Sequence, residues 1–261
     1  MISTNFFYIF KSLKSKITLL TLCIIALIQC IDAIANSGFE KLYGNPNPAF
    51  ISLLSNNTNI HYTLIFLWIM PVLLILSFAN NCNNERKIGL KNIYCIKVKR
   101  HTYWGSKIIV SFLYSFVICI IPLMINLLLN HIFLHCGNYF FMKETYPEDV
   151  IGEYIFFSIR HPYLIYFGYI LSTSLVIGLL GVFCQSVCFI VNDEKLHYFI
   201  VFAFWILYFS DTRFAIGDAF VPFRVESSIQ SGLSSICSFL PTVVVSSVIS
   251  YIVTVIKKDE I

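Results

Sequence analysis

The amino-acid sequence predicts an all-α polytopic membrane protein with six transmembrane helices. Of its 261 residues, 57% are hydrophobic and 12% are charged, whereas soluble domains carry about 25% charged residues. The apolar residues form long unbroken runs, near or above the ~18 residues that mark a spanning helix, and do not alternate with polar ones. Hydrocarbon, and not water, is therefore the predicted solvent for most of this chain.

Six apolar runs are the predicted spans of a single transmembrane domain, residues 1–261. They cover residues 17–35, 62–79, 108–133, 163–191, 196–216 and 236–256. The fifth run is the weakest, because its apolar part ends at Ser210 and it reaches Ile216 only by including Asp211 and Arg213.

The distribution of lysine and arginine predicts the orientation, because cytoplasmic loops retain positive charge. With the N-terminus inside, 13 of the 18 basic residues fall in the cytoplasm. The other five are Lys41, Lys143, Arg160, Arg213 and Arg224. An even number of spans then places both termini in the cytoplasm.

The residues before the first span predict an N-terminal interfacial helix. Phe6, Phe7, Phe10 and Leu13 can share one helical face while the neighbouring lysines reach lipid phosphates. A frayed tail is the alternative interpretation. A cleaved signal peptide does not fit, because the apolar run that follows is too long for a signal core.

The loop between the second and third spans, residues 80–107, is strongly basic but is interrupted by apolar residues such as Ile88 and Ile93. This composition favours a short amphipathic helix on the membrane surface over a solvated linker. The alternative is that any inward loop simply collects lysine and arginine.

A specific order of residues runs through this loop: Glu85, then Gly89, then Lys91-Asn92-Ile93, then Arg100, then Ser106-Lys107 at the start of a long apolar helix. This order resembles the first cytoplasmic loop of type-2 ABC exporter permeases, and among them the permeases that protect bacteria against lantibiotics. Leu90 replaces the threonine that often follows the glycine in that family, and the usual proline is absent. The six-span plan and the chain length also agree.

The resemblance implies a permease subunit in the bacterial cell membrane that expels an antimicrobial peptide or an amphipathic, lipid-like compound. Residues 80–107 would hold a coupling helix that docks on a separate ATP-binding cassette subunit. The implied coupling residues are Glu85, Arg86, Gly89, Asn92, Arg100 and Lys107. The other implied partners are a second permease, in a homodimer or heterodimer, and membrane lipids; no nucleic acid and no cofactor are expected.

Four polar residues within or beside the apolar runs are candidates for a substrate path: Asp32, Asn126, Asn130 and Gln185. Polar groups at membrane depth tend to face the bundle interior. Two alternatives stay open, since Asp32 can lie at headgroup level and the amides can simply join helices.

The sequence does not favour an enzyme, because it carries no Walker loop, HExxH or serine hydrolase pattern. His131 and His135 share a helix face, with Cys136 next, but no glutamate follows His131 and histidines near an interface usually meet water and headgroups, so no metal site is expected. The rival to a permease is a non-transporting membrane immunity or scaffold protein that binds its target directly.

Overall fold

The fold is a helical bundle, seen in a computed structural model that describes residues 2–40, 47–55, 60–79, 85, 88–89, 98–133, 157–158, 160–210, 220, 222 and 229–256. Its helices are α1 (Ile2–Lys11), α2 (Leu13–Glu40), α3 (Pro48–Ile51), α4 (Ile60–Leu74), α5 (Arg100–Phe133), α6 (Pro162–Ile190), α7 (Glu194–Ser210) and α8 (Ile229–Tyr251). α4 continues as a π-helical turn over Ile75–Ala79, and α8 does so over Ile252–Ile256. No strand occurs among these residues.

Five helical stretches are long and apolar enough to cross a membrane, as expected of a multi-pass membrane protein. They are Leu13–Ala35, His61–Ala79, Arg100–Phe133, Pro162–Ile190 and Ile236–Ile256. Each overlaps one of the predicted spans. The remaining prediction, residues 196–216, coincides with α7, which has 17 residues; residues 211–216 lie outside the described part of the chain.

The helix α6 is the centre of the bundle. In its most apolar stretch 83% of the residues are buried, against 33% in the first span and 28% in the last. The outer faces of α2 and α8 accordingly carry exposed aliphatic side chains such as Ile24, Ile31, Val245 and Val248, as expected for peripheral helices in lipid.

Two glycines allow α5 and α6 to pack closely, which is the use that small residues have between membrane helices. A Cβ atom on Gly181 would lie 2.0 Å from the Ser115 Oγ and 2.9 Å from the Ser111 backbone oxygen. A Cβ on Gly178 would lie 2.8 Å from the Phe112 ring. Gly168, about three turns before Gly178 on α6, has open space around it.

One end of the bundle, called the basic end below, gathers α1, the start of α5 and the ends of α6 and α8. Asn5 of α1 donates to the Ser106 Oγ (3.5 Å), and the Trp104 indole donates to the Ser250 Oγ of α8 (3.0 Å). The Phe189 ring of α6 lies edge-on to the Tyr103 ring at 6.2 Å. The first and last described helices therefore meet at the same end.

The short helix α7 follows the bundle from the basic end toward the start of α8. Near its start, a ring nitrogen of His197 lies 3.0 Å from the Cys184 carbonyl oxygen. Farther along, the Trp205 indole donates to the Leu67 carbonyl (3.1 Å), and the Tyr208 hydroxyl donates to the Ser238 carbonyl (3.4 Å). Trp205, Phe204 and Tyr208 thus pack inward, whereas Phe199 is 70% exposed.

The helix α1 does not present its four apolar residues on one face. Phe6 and Phe10 pack against the bundle, and the Phe10 ring meets the Tyr114 ring at 5.2 Å. Phe7 and Leu13 are exposed. Leu13 already belongs to α2, because the helix is interrupted at Ser12, whose hydroxyl accepts the Ser15 backbone N–H (3.2 Å).

Candidate functional sites

Glu85, which follows the second span, is held by two residues in the first turns of α5. Its Oε2 accepts the Tyr103 hydroxyl (2.7 Å), and its Oε1 accepts the Lys107 ammonium group (2.6 Å). Tyr103 and Lys107 are four residues apart and so lie on one helix face. The exposed fractions of the Lys107 and Glu85 side chains are 12% and 16%, so the pair is partly withdrawn from water and weakly screened.

The start of α5 is itself anchored to three other helices. The Ser106 hydroxyl donates to the Tyr103 carbonyl (2.9 Å) and is the acceptor for Asn5 of α1. Tyr103 is fully buried beside Phe189 of α6, and Trp104 stacks edge-on with Tyr251 of α8 at 5.1 Å. Glu85 is therefore connected through the start of α5 to α1, α6 and α8.

Gly89 has a left-handed backbone conformation, with φ +77°. A Cβ atom at this position would meet no other atom within 4 Å. The glycine is therefore required by the turn conformation and not by lack of space. Its neighbour Ile88 is 71% exposed.

The structure describes four of the six predicted coupling residues. Glu85 and Lys107 are in contact, Gly89 forms a turn, and Arg100 is half-buried as the first residue of α5. Arg86 and Asn92 lie outside the described residues, as does most of the predicted coupling helix. Residues 100–107, predicted as part of the loop, form the first two turns of α5. Tyr103 was missed, although it stands one turn before Lys107.

A second site lies at the opposite end of the bundle, where residues 47–55 fold inward between α2 and α4. The Asn47 side chain accepts the Ala49 N–H (3.0 Å), and Pro48 occupies the first helical position, so that a single turn, α3, forms. All nine residues are buried. Connecting segments usually lie at the surface because a buried one must find partners for its backbone polar groups.

Four different helices supply those partners, each with one side chain. Gln29 of α2 donates to the Ile51 carbonyl (2.7 Å), Thr63 of α4 donates to the Leu53 carbonyl, Asn126 of α5 accepts the Leu53 N–H (2.9 Å), and Tyr166 of α6 accepts the Leu54 N–H (3.3 Å). Such pairing is needed because an unpaired buried backbone group is costly.

Asn126 uses its whole hydrogen-bonding capacity in this cluster. Its Nδ2 donates to the Ala26 carbonyl (2.8 Å) and to the Gln29 Oε1 (2.6 Å). Its Oδ1 accepts the Leu53 N–H and the Asn130 Nδ2 (3.2 Å). Two donors and two acceptors are all that an amide side chain offers. Asn130 also donates to the Ser52 Oγ (3.3 Å).

The four predicted path residues do not form one group. Asn126 and Asn130 are neighbours in the cluster just described, where they join helices. Asp32 is half-buried on α2, three residues after Gln29. Gln185 is buried within the last two turns of α6, toward the basic end, and its Nε2 has no hydrogen-bond partner among the described residues. Gln29, Thr63 and Tyr166 were missed.

The described residues contain no group of three or more His, Cys, Asp or Glu side chains able to hold a metal ion. The His131 Nδ1 lies 3.1 Å from the Tyr163 hydroxyl at the end of the bundle opposite the basic end. His135 is outside the described part of the chain.

Comparison with known proteins shows one relationship over almost the whole chain. The sequence is 26% identical over 253 residues to the uncharacterized protein YybM of Bacillus subtilis (strain 168), and the match covers 94% of this chain and 96% of that protein. No protein-family model matches the sequence, and no solved structure matches it.

Proposed function

We propose that this chain is the membrane-spanning permease subunit of an ATP-driven exporter of the ABC type. The observation that carries the proposal is the attachment of Glu85 to Tyr103 and Lys107. It makes the beginning of the loop after α4 one mechanical unit with the start of α5. A permease without a nucleotide site must receive work from a partner, and a stiff loop of this kind transmits movement of the partner to the helices.

Six spans are part of the proposal, with α7 as the fifth. The contacts from His197 to Tyr208 support it, because they follow α7 from the basic end to the Ser238 carbonyl of α8. Its 17 residues give a length of about 26 Å, close to the ~30 Å of a bilayer core. The meeting of α1 and α8 at the basic end also supports an even number of crossings.

The basic end is proposed to face the cytoplasm of a bacterial cell, which places both termini inside. The exposed lysines Lys11, Lys14 and Lys16 at this end support the assignment, since positive charge is retained on the cytoplasmic side. ATP is present on that side, so the loop containing Glu85 and Gly89 would meet an ATP-binding cassette subunit there.

The helix α1 is proposed to lie in the lipid headgroups. Its inner side is fixed to the bundle through Phe10 and Asn5. Phe7 and Tyr8 remain 68% and 69% exposed beside Lys11, the combination of apolar and cationic side chains that favours an interfacial position. Anionic phospholipids are the partner that this charge selects.

A complete exporter needs a second permease, identical or related, and the peripheral helices α2 and α8 are the surfaces left for lipid or for that subunit. The cargo is proposed to be an antimicrobial peptide or an amphipathic, lipid-like compound. This part of the proposal depends on the resemblance of the loop alone, because a fold does not determine its substrate.

Site-specific photo-crosslinking tests the proposal. A photoreactive amino acid placed at Ile88, which is exposed beside Gly89, is expected to crosslink in intact cells to a protein that carries a Walker ATP-binding motif. The matched control is Ile132, which is 62% exposed at the opposite end of α5 and is expected to give no such product. Position 88 crosslinking only to lipid or to this chain would refute the docking.

A second candidate function is a non-transporting immunity or scaffold protein. One observation favours it: Asn126 is saturated by contacts within its own chain, and so offers no free group to a cargo. The two functions differ in their need for ATP. Protection that persists after the Walker lysine of the crosslinked ATPase is replaced would favour the scaffold.

A further inference from the structure

We infer that residues 47–55, called the seal below, close the end of the bundle opposite the basic end. The seal can move out of this position as a unit while the surrounding helices stay packed together. The inference concerns a different region from the proposed ATPase contact. It stands whether or not an ATP-binding subunit docks at Glu85.

The seal fills the space between the helices at its end of the bundle. Phe50, Leu53 and Leu54 are at most 4% exposed and belong to the central apolar core. Side chains from α2, α4, α5 and α6 converge on the backbone of residues 51–54. The seal therefore occupies the place where these four helices would otherwise border a common space.

Its attachment differs in kind from that of the helices. The long helices satisfy their own backbone groups and pack through close apolar contacts, such as Gly178 against the Phe112 ring. The seal has only one helical turn, and four of its other backbone groups, in residues 51–54, depend on side chains of other elements. Ser55 bonds within the seal, to Phe50 and Ser52. Proteins open locally where stabilisation is least. Water at the membrane surface can replace the hydrogen bonds of the seal. We therefore expect the seal to be released before any other part of the bundle opens.

Asn126 is the main attachment point. It holds the Leu53 N–H directly, and it orients Gln29, which in turn holds the Ile51 carbonyl. Its removal weakens two of the four attachments at once. After release, the amides of Asn126 and Asn130 would border the vacated space, which is how the predicted path residues become accessible.

Thiol labelling of the full-length protein in lipid nanodiscs tests the inference. Ser52→Cys places a reporter in the seal, and the native Cys119 and Cys184, both fully buried in α5 and α6, report on the bundle. The reaction with a water-soluble maleimide is followed for each site by peptide mass spectrometry. Asn126→Ala is the test variant, and Ser115→Ala is its control on the same helix, because the Ser115 hydroxyl has no described hydrogen-bond partner.

Asn126→Ala is expected to raise the labelling rate at position 52 by about tenfold or more, as loss of buried hydrogen bonds implies, with the rates at Cys119 and Cys184 unchanged. Ser115→Ala should change none of the three. Equal acceleration at all three sites would make the segment an ordinary part of the core and overturn the inference, as would no acceleration at position 52. If Asn126→Ala does not fold, Tyr166→Phe, which removes the acceptor of the Leu54 N–H, decides by the same criteria.

Discussion

Glu85 and Lys107 form an ion pair of 2.6 Å that joins the segment following the second span to the third membrane helix. Both side chains are mostly withdrawn from water, and Tyr103 supplies a second hydrogen bond to the same carboxylate. This geometry attaches the proposed coupling loop to α5 at a fixed point. The interaction energy between the two side chains can be measured.

Replacement of Glu85 by Gln is expected to lower the free energy of unfolding by about 2 kcal/mol, the usual contribution of a partly buried hydrogen bond to a charged group. Lys107→Met should cost a similar amount, and the double variant should cost clearly less than the sum. Thermal unfolding of the four proteins in detergent measures this coupling. Strict additivity would mean that the pair contributes nothing.

The effect of Glu85→Gln on function should be larger than its effect on assembly. The variant is expected to insert and to reach wild-type amounts in the membrane, but to lose crosslinking from position 88 and with it transport. Lys195→Gln, which replaces an exposed lysine at the same end of the bundle, is the control and should leave the crosslinking unchanged. If crosslinking from position 88 were unchanged in Glu85→Gln, docking would not depend on the ion pair.

Substitutions of Gly89 should act through backbone conformation only. An alanine in the left-handed region costs about 1 kcal/mol, and no neighbouring atom adds a clash. Asparagine tolerates this conformation better, and a β-branched residue tolerates it worst. Crosslinking efficiency from position 88 should therefore fall in the order Gly, Asn, Ala, Val. If the crosslinking efficiency followed side-chain size instead, with Ala above Asn, crowding and not backbone conformation would be the cause.

Gly181→Ala should destabilise the bundle by about 2 kcal/mol or more, because the new methyl group would meet both Ser115 and the Ser111 backbone. Gly168→Ala on the same helix is the matched control; its surroundings are open, and better helix propensity should stabilise it by up to about 1 kcal/mol. Thermal unfolding compares the two variants. Equal stability of the two variants would show that α5 and α6 can move apart around the new methyl group at no cost in free energy.

Apolar runs and charge were enough to predict the five long apolar helices, because each segment in lipid must satisfy its own backbone. They did not predict the inward fold of residues 47–55, since the stabilising partners Gln29, Asn126 and Tyr166 come from three distant parts of the chain. Within the proposed coupling site, Glu85 and Lys107 were predicted from their order along the loop. Tyr103 was not, because its role depends on the turn of α5 that places it beside Lys107.

Neutralising Lys11, Lys14 and Lys16 with glutamine should weaken retention of anionic phospholipid. Each lysine near a charged surface contributes about 1 kcal/mol at low salt, and the effect fades as ionic strength rises. Native mass spectrometry of protein from phosphatidylglycerol nanodiscs measures it, with phosphatidylcholine as the neutral reference. Lys195→Gln, which replaces a single exposed lysine in the first turn of α7, is the control. Equal loss of phosphatidylglycerol and phosphatidylcholine would mean that the lysines support the structure and do not recognise the charge of the lipid.

The number of crossings decides whether the two ends of the chain lie on the same side of the membrane. Six spans place epitope tags at both termini in the cytoplasm, whereas five spans would place them on opposite sides. In spheroplasts, external protease should therefore cleave neither tag until the membrane is permeabilised. A cysteine at Ile132, at the far end of α5, should react with an impermeant maleimide before permeabilisation.

Cleavage of the C-terminal tag alone in intact spheroplasts would mean that α7 does not cross. The contacts of Trp205 with Leu67 and of Tyr208 with Ser238 would then have to form with α8 entering from the basic end. That arrangement conflicts with the hydrogen bond between Trp104 and Ser250, because Ser250 lies at the far end of α8 and yet meets the start of α5. The same bond thus makes protection of both tags the expected result.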